Sequence, residues 1–313
     1  MTFSYERILP GQVGQVLGNG GAAGDYLDRL IITVSTAATA AVSIKDGGGN
    51  AIPIMPNSPG AGIGRHVVSV GATSKAGPWR VTAGLGSSVV AVGDFSRGNT
   101  AEYLSLPGTA GDYASTPDSA AISITGDLDL RIKVAMDDWT PVANQSFFSK
   151  FVSVTDDAYL VRMLAGGTLT FRYSSGGVDS GEKQATALTG FTDGTPHWLR
   201  VVHDVDNGAA GSDVKFYTSI DGIVWTQLGA TVTTGAVVAR PDNAAVMLLG
   251  EHGPGTTMLA GKIYYAEIRN GIDGTVVAKF DPREGVVAAV AFTSGSGEAW
   301  TINQSGTPPA ELV

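Results

Sequence analysis

The stretch from His197 to Gly229, HWLRVVHDVDNGAAGSDVKFYTSIDGIVWTQLG, constrains the fold more than any other part of this chain. Trp198 to Val205 alternates apolar and polar residues, with Trp198, Val202 and Leu199 as inward candidates. A polar Asn-Gly-Ala-Ala-Gly-Ser segment follows, and Val214 to Ile220 alternates again. Asp221-Gly222 then closes a tight turn into Ile223–Leu228. A period of two fits strands. An Asp-Gly pair between alternating runs predicts a hairpin, because both central residues of a type I′ turn need positive φ. The pattern predicts an all-β fold and a binding or structural role, and it contains nothing arranged like a catalytic site.

A second run carries the same period without a break. In Asp127–Val134, Leu128, Leu130, Ile132 and Val134 face one way and Asp127, Asp129, Arg131 and Lys133 the other, which predicts a half-buried antiparallel strand. Further strands are expected at Gln145–Phe151, Tyr159–Leu164, Thr168–Tyr173, Ala245–Gly250, Gly261–Arg269, Thr275–Asp281 and Ala299–Asn303. Glycine contributes 43 of the 313 residues, about twice its ordinary share of roughly 7%, with no long helical period beside it. That combination means many short strands joined by turns.

A domain boundary is expected at Gly93–Thr100, dividing 1–97 from 98–313. Before it, six short strands are expected at Asp28–Val34, Ala40–Lys45, Ala51–Met55, His66–Val70, Trp79–Thr82 and Val89–Val92, enough for a small sandwich. Pro53 demotes its strand to an edge, since it cannot donate to a ladder. The turn clusters are 46–50, 56–60 and 83–86. The first 24 residues, rich in Gly, Gln and Val, read equally as an extended arm or as first strands. Residues 1–97 hold seven Lys+Arg and five Asp+Glu; the rest holds 13 and 24, so 13 − 24 = −11. An acidic body is a poor partner for nucleic acid or an anionic membrane. The acidity reads first as a means of solubility, and the sharper reading is that the near-neutral part anchors while the acidic part faces solvent.

Several chemistries are excluded. Without cysteine there is no disulfide, thiolate metal site or cysteine nucleophile. No basic segment followed by an apolar one opens the chain, and no apolar run approaches the roughly 20 residues that span a bilayer. The histidines are His66, His197, His203 and His252. His197 and His203 share a strand face but lie about 20 Å apart, beyond one metal ion. The carboxylate pairs Asp137-Asp138 and Asp156-Asp157 fall in expected turns, and the glutamates are scattered. The paired glutamates about 5 Å apart that a retaining glycosidase needs are missing, so no catalytic residue is assigned. Trp139, Trp198, Trp225 and Trp300 are expected in the core. Tyr264 and Tyr265, as strand neighbours, should point to opposite faces, leaving one exposed. Ser219–Trp225 resembles the Asp-box turn of sialidases but has the wrong glycine spacing. The runs at 11–24 and 60–64 lack the strand-to-helix junction of a phosphate loop.

Residues 101–285 resemble a concanavalin A-like, laminin-G-type jelly roll. The matching pieces occur in the family's order: Ile124–Trp139, Phe147–Phe151, Tyr159–Tyr173, Asp193–Asp204, Val214–Gly229 and Gly261–Pro282. The phrasing of residues 103–141 and the tail GEAWTINQSG resemble modules in virion proteins of tailed bacteriophages. The resemblance implies a non-enzymatic virion protein, with the first domain as anchor and the second as a projecting lectin-like module. Its favoured form is a homotrimeric capsid decoration protein. It would be assembled in the host cytoplasm, sit on the head surface and bind the major capsid protein or other virion proteins. The alternative is a minor tail protein or adhesin that binds a host-surface glycan. No organic cofactor is implied. A structural calcium at the sandwich rim stays open, with Asp112, Asp118, Asp156, Asp157 and Asp242 placed there by loop position and no metal ligand assigned.

Overall fold

The computed structural model describes residues 4–17, 26–35, 41–55, 63–75, 79–94, 101–153, 155–253 and 255–313. The chain divides into two compact units, Met1–Thr100 and Ala101–Val313. The expected turn at 56–60 and most of the expected boundary, 95–100, lie outside the described residues. So do 1–3 and 18–24 of the expected arm. Among the described residues no helix is long and apolar enough to cross a membrane.

Among the described residues the first unit has eight strands: β1 (Ser4–Ile8), β2 (Gln15–Val16), β3 (Tyr26–Val34), β4 (Val42–Asp46), β5 (Ile52–Met55), β6 (Gly64–Thr73), β7 (Trp79–Thr82) and β8 (Ser87–Asp94). They form two four-stranded sheets, β1-β8-β3-β6 and β2-β7-β4-β5. Leu30, Ile32 and Val34 of β3 pack with Ile44, Trp79, Val81, Val89 and Ala91 in one core. Residues 4–8 and 15–16 thus serve as first strands rather than a free arm. Pro53 lies on β5, which ends its sheet, so its missing N–H breaks no ladder.

The second unit continues with β9 (Leu104–Pro107), β10 (Tyr113–Thr116), β11 (Leu128–Met136), β12 (Gln145–Ser153), β13 (Asp156–Met163), β14 (Leu169–Arg172), β15 (Ser174–Ser175), β16 (Val178–Asp179), β17 (Lys183–Gln184), β18 (His197–Asp204) and β19 (Ser212–Ser219). It ends with β20 (Thr226–Gln227), β21 (Val232–Thr234), β22 (Met247–Leu249), β23 (Ala260–Asn270), β24 (Thr275–Phe280), β25 (Ala291–Thr293), β26 (Ala299–Asn303) and β27 (Glu311–Leu312). One sheet runs β17-β14-β13-β12-β22-β10-β26-β25. The other runs β20-β19-β18-β11-β23-β9-β27, with β21 on β19 and β24 on β23. All the pairings are antiparallel, as in a jelly-roll sandwich, and the fold is all-β as expected.

The core between the two sheets takes Leu128, Leu130, Ile132 and Val134 from β11, with Phe147, Tyr159, Phe171, Phe216, Phe280, Trp139 and Trp300. The alternation of β11 therefore sets its inner face as the sequence predicts. Its outer face differs from the expectation. Asp129 and Arg131 are buried too, because other side chains and the 271–274 turn cover them.

Inside this core lies a polar pair with no carboxylate. Arg240 donates to the Ile124 carbonyl at 3.1 Å, to the Gly126 carbonyl, and to His203 Nδ1 at 2.7 Å. A guanidinium can only donate, so His203 must accept through an unprotonated Nδ1. Burial and the nearby Arg240 charge push the His203 imidazole down to about 2. Its ring stacks on Tyr173 at 4.4 Å.

Candidate functional site

The outer face of the nine-stranded sheet holds a polar floor built from cross-strand rows. Arg131 on β11 stands between Arg200 on β18 and Glu267 on β23, and Lys133 stands between Trp198 and Tyr265. Tyr217 on β19 extends the first row beyond Arg200. Residues directly opposite one another on a sheet face lie within contact distance, so these rows place aromatic rings among charged groups.

Asp129 locks the floor. Its carboxylate accepts from Arg131 at 3.1 and 2.7 Å, from Arg200 at 3.0 and 2.8 Å, and from the Asp273 backbone N–H at 3.0 Å. Asp273 bridges the same arginines from above, at 2.6 and 2.8 Å. Burial works to raise the Asp273 carboxyl, but the two guanidiniums outweigh it and hold the group below the usual carboxylate range. Trp225 caps the pair, its ring 5.4 Å from Arg131 and 5.7 Å from Arg200. A buried carboxylate is tolerated only when fully paired, and here two forks and a backbone donor pair it.

Above this floor opens a cavity of about 410 Å³, lined by Glu102, Arg131, Lys133, Trp198, Gly222, Tyr264, Tyr265, Glu267, Arg269 and Arg283. The two tyrosines enter it together because β23 is bulged. Lys133 pairs with Tyr265 while the next residue, Val134, pairs with Ile263, which leaves Tyr264 as an extra residue. A bulge of this kind breaks the two-residue alternation. Ile263 and Ala266 both point into the core, and Tyr264 and Tyr265 both face the cavity. The expectation that these tyrosines occupy opposite faces is therefore corrected.

Glu267, one of the two acids lining the cavity, is held in place. Tyr265 donates to Glu267 Oε2 at 3.0 Å, and Arg269 donates to Glu267 Oε1 at 2.7 Å. Burial, then the Glu267 charge, push the Tyr265 phenol well above its ordinary range, so it remains a donor. Arg283 forks onto Asp281 at 2.7 and 2.7 Å, and that hydrogen bond raises the guanidinium further.

The tryptophans divide. Trp139 and Trp300 are core residues as expected, while Trp198 and Trp225 lie on the outer face. Val202 shares that face, and of the three inward candidates only Leu199 reaches the core. The Asp221-Gly222 turn also differs from a type I′ hairpin. Gly222 alone has positive φ, at 76°, and Asp221 Oδ1 accepts from the Ile223 and Val224 N–H groups at 2.8 and 2.9 Å. The aspartate's capture of its own loop draws residues 220–225 out of the ladder, so the strand expected from Ile223 shrinks to Thr226–Gln227. A Cβ on Gly222 would stand 2.6 Å from the Trp198 ring, so glycine lets the loop close on that ring. The same loop, through Ile220, Asp221 and Val224, lines a second cavity of about 440 Å³ with Phe191 and His197.

The rim aspartates do not converge. Asp112 accepts from the Ser305, Gly306 and Ala310 N–H groups at 2.9, 3.2 and 3.1 Å and so clamps the C-terminal loop. Asp118 pairs at 2.8 Å with the fully buried Lys150 ammonium, which also donates to Asn243 Oδ1 at 3.1 Å. Asn243 in turn donates to the Asp156 carbonyl at 2.9 Å. A fixed ammonium thus occupies the acidic nook. Asp157 is fully buried with both carboxyl oxygens unpartnered, and burial pushes it up to about 8. Asp242 is exposed. Asp138 accepts from the Thr140 N–H at 2.8 Å, an ordinary turn contact. Among the described residues no three His, Cys, Asp or Glu side chains come together as a metal site.

No family model and no curated protein matches this chain. Solved structures resemble it at low identity. A pentraxin from Limulus polyphemus is 14% identical, covers 54% of this chain and 76% of its own, and has a TM-score of 0.39. The CBM40 module of a Ruminococcus gnavus sialidase, bound to α2,3-sialyllactose, is 11% identical over 55% of this chain and 93% of its own, with a TM-score of 0.39. Mouse laminin α1 domains LG4-5 are 11% identical over 83% and 86%, with a TM-score of 0.38. Likeness of this size carries no argument about ligand, and the sandwich stands on its own strand pairing.

Proposed function

We propose that the 101–313 unit is a non-catalytic carbohydrate-binding module whose sugar site is the Trp198–Tyr264–Tyr265 groove. The carrying observation is the meeting of three aromatic rings with fixed acceptors and donors in one cavity of about 410 Å³. A pyranose offers apolar C–H faces and an equatorial fringe of hydroxyls. Rings cover the first; carboxylates and guanidiniums already held in fixed positions satisfy the second at little ordering cost. Glu267, gripped by Tyr265 and Arg269, is such an acceptor. The arrangement favours binding over chemistry, because Tyr265 is driven away from ionisation and Glu267 is already engaged by a cation.

The test is isothermal titration of the full chain against a panel of oligosaccharides, repeated with Trp198→Ala. Saturable binding that weakens at least tenfold in the variant supports the reading. Binding that ignores Trp198 contradicts it.

The place of such a module is a finer proposal. The near-neutral residues 1–97 and the net −11 of the remainder, with the phage-like phrasing, favour a virion protein anchored by its first unit. A homotrimeric head-surface protein is the favoured form and a tail adhesin the alternative. Cryo-electron microscopy of the particle separates them: density at lattice positions on the head supports decoration, and density confined to the tail supports the adhesin.

A further inference from the structure

We infer that this groove selects acidic saccharides, through an anionic substituent held by Lys133 and Lys262; the inference rests on the carbohydrate reading above. In the second unit most cations are neutralised. Arg131, Lys150, Arg162, Arg172, Arg200, Arg269, Lys279 and Arg283 all have carboxylate partners. Lys133, Lys183, Lys215, Arg240 and Lys262 do not, and of these Lys133 lines the cavity and Lys262 stands in the same aromatic row. Among the described residues neither ammonium comes within ion-pair distance of an acid. Each lies instead over a tyrosine: Lys133 at 5.4 Å from the Tyr264 ring, and Lys262 at 4.7 Å from the Tyr103 ring. The two rings touch each other at 5.4 Å. The result is a row of lysine, tyrosine, tyrosine and lysine beside the cavity, with both lysines half-buried.

The surroundings give this row its meaning. The unit carries net −11, so an unpaired lysine has acids to choose from, yet the two in this aromatic row stay free. A ring face attracts an ammonium by its quadrupole and leaves its N–H donors unspent. Partial burial lowers the local dielectric and strengthens a contact to an arriving anion. The two rings meet at 55° and not as one flat platform, so what this row offers a bound sugar is the ammonium groups, which suit a carboxylate or sulfate.

The experiment is titration of the full chain with oligogalacturonate (carboxylate only), a sulfated galactan oligosaccharide (sulfate only) and a neutral galactan oligosaccharide of equal length. The expected result is that at least one acidic sugar binds tenfold or more tighter than the neutral one, with an affinity that falls as salt rises. Which acid wins identifies the anion. Lys133→Gln and Lys262→Gln should each cost about tenfold for that sugar, the worth of one charge-assisted hydrogen bond, so that its advantage over the neutral sugar shrinks or disappears. Lys133→Arg should restore most of the loss. If neutral and acidic sugars bind alike, with Trp198→Ala abolishing both, the inference fails and the carbohydrate reading stands. If no sugar binds, both fall.

Discussion

Asp129 and Arg200 lie diagonally across neighbouring strands and share two hydrogen bonds, of 3.0 and 2.8 Å, beneath the candidate sugar groove. The same carboxylate holds Arg131, so a single acid with no exposed surface fixes two guanidiniums. Removing it leaves two buried guanidiniums to share the largely exposed Asp273 carboxylate. Asp129→Ala is expected to cost about 3–5 kcal/mol, the usual penalty for breaking a buried ion pair from one side. Urea unfolding followed by tryptophan fluorescence measures this. A loss below 1 kcal/mol would mean the arginines relax to water and the floor is not rigid.

Asp157 predicts an alkaline weakening. Its folded carboxyl, up at about 8 mainly through burial, lies above the unfolded value of about 3.9. Between those values the folded state holds a proton that the unfolded state has lost. Stability therefore falls as pH rises from about 4 to about 8 and levels off above. The charges around it are Arg172, Asp179, Glu182 and Arg162. Asp157→Asn cannot titrate, so the difference in unfolding free energy between pH 5 and pH 8 should shrink in the variant. An unchanged slope would contradict the assignment.

His203 predicts the opposite limb. Its imidazole is pushed down to about 2, below the unfolded value near 6.5, so the unfolded state takes up a proton first as pH falls. The stability it contributes is present above pH 6.5 and is lost progressively on acidification. His252, pushed down to about 4 by burial, adds to the same limb. His203→Asn, whose Oδ1 can replace Nδ1 as acceptor for Arg240, should flatten the slope between pH 7 and pH 4. The pH dependence of the urea midpoint is the readout, and an equally steep acid limb would refute it.

Gly222 is predicted to govern the groove wall. A methyl group there meets the Trp198 ring at 2.6 Å, on a backbone with φ of 76°. Gly222→Ala should cost about 1–3 kcal/mol and shift the tryptophan emission, because either the loop or the ring must move. An unchanged spectrum and stability would mean that the contact is loose.

How much of this was legible in the sequence depends on range. The alternation of β11 was plain because its core face repeats every second residue from Leu128 to Val134. Pro53 marked an edge for a purely local reason. The groove was not legible. Arg131 and Lys133 read as solvent-facing, since nothing near them in sequence says that Trp225 and Asp273 fold over that face. Trp198 reads as inward on hydrophobicity, although the parity that brings Leu199 and Val201 to the core turns it outward. Tyr264 and Tyr265 obeyed alternation until a bulge, set by pairing with a strand some 130 residues earlier, placed both on one side. Cross-strand register is a long-range property, and the site is made of it.

The most direct test of the account is the affinity of the full chain for an oligosaccharide panel before and after Trp198→Ala, with circular dichroism to verify the fold. The intact protein should bind saturably, and the variant should remain folded and lose at least tenfold in affinity. Absence of binding across the panel, or binding indifferent to Trp198, would contradict it.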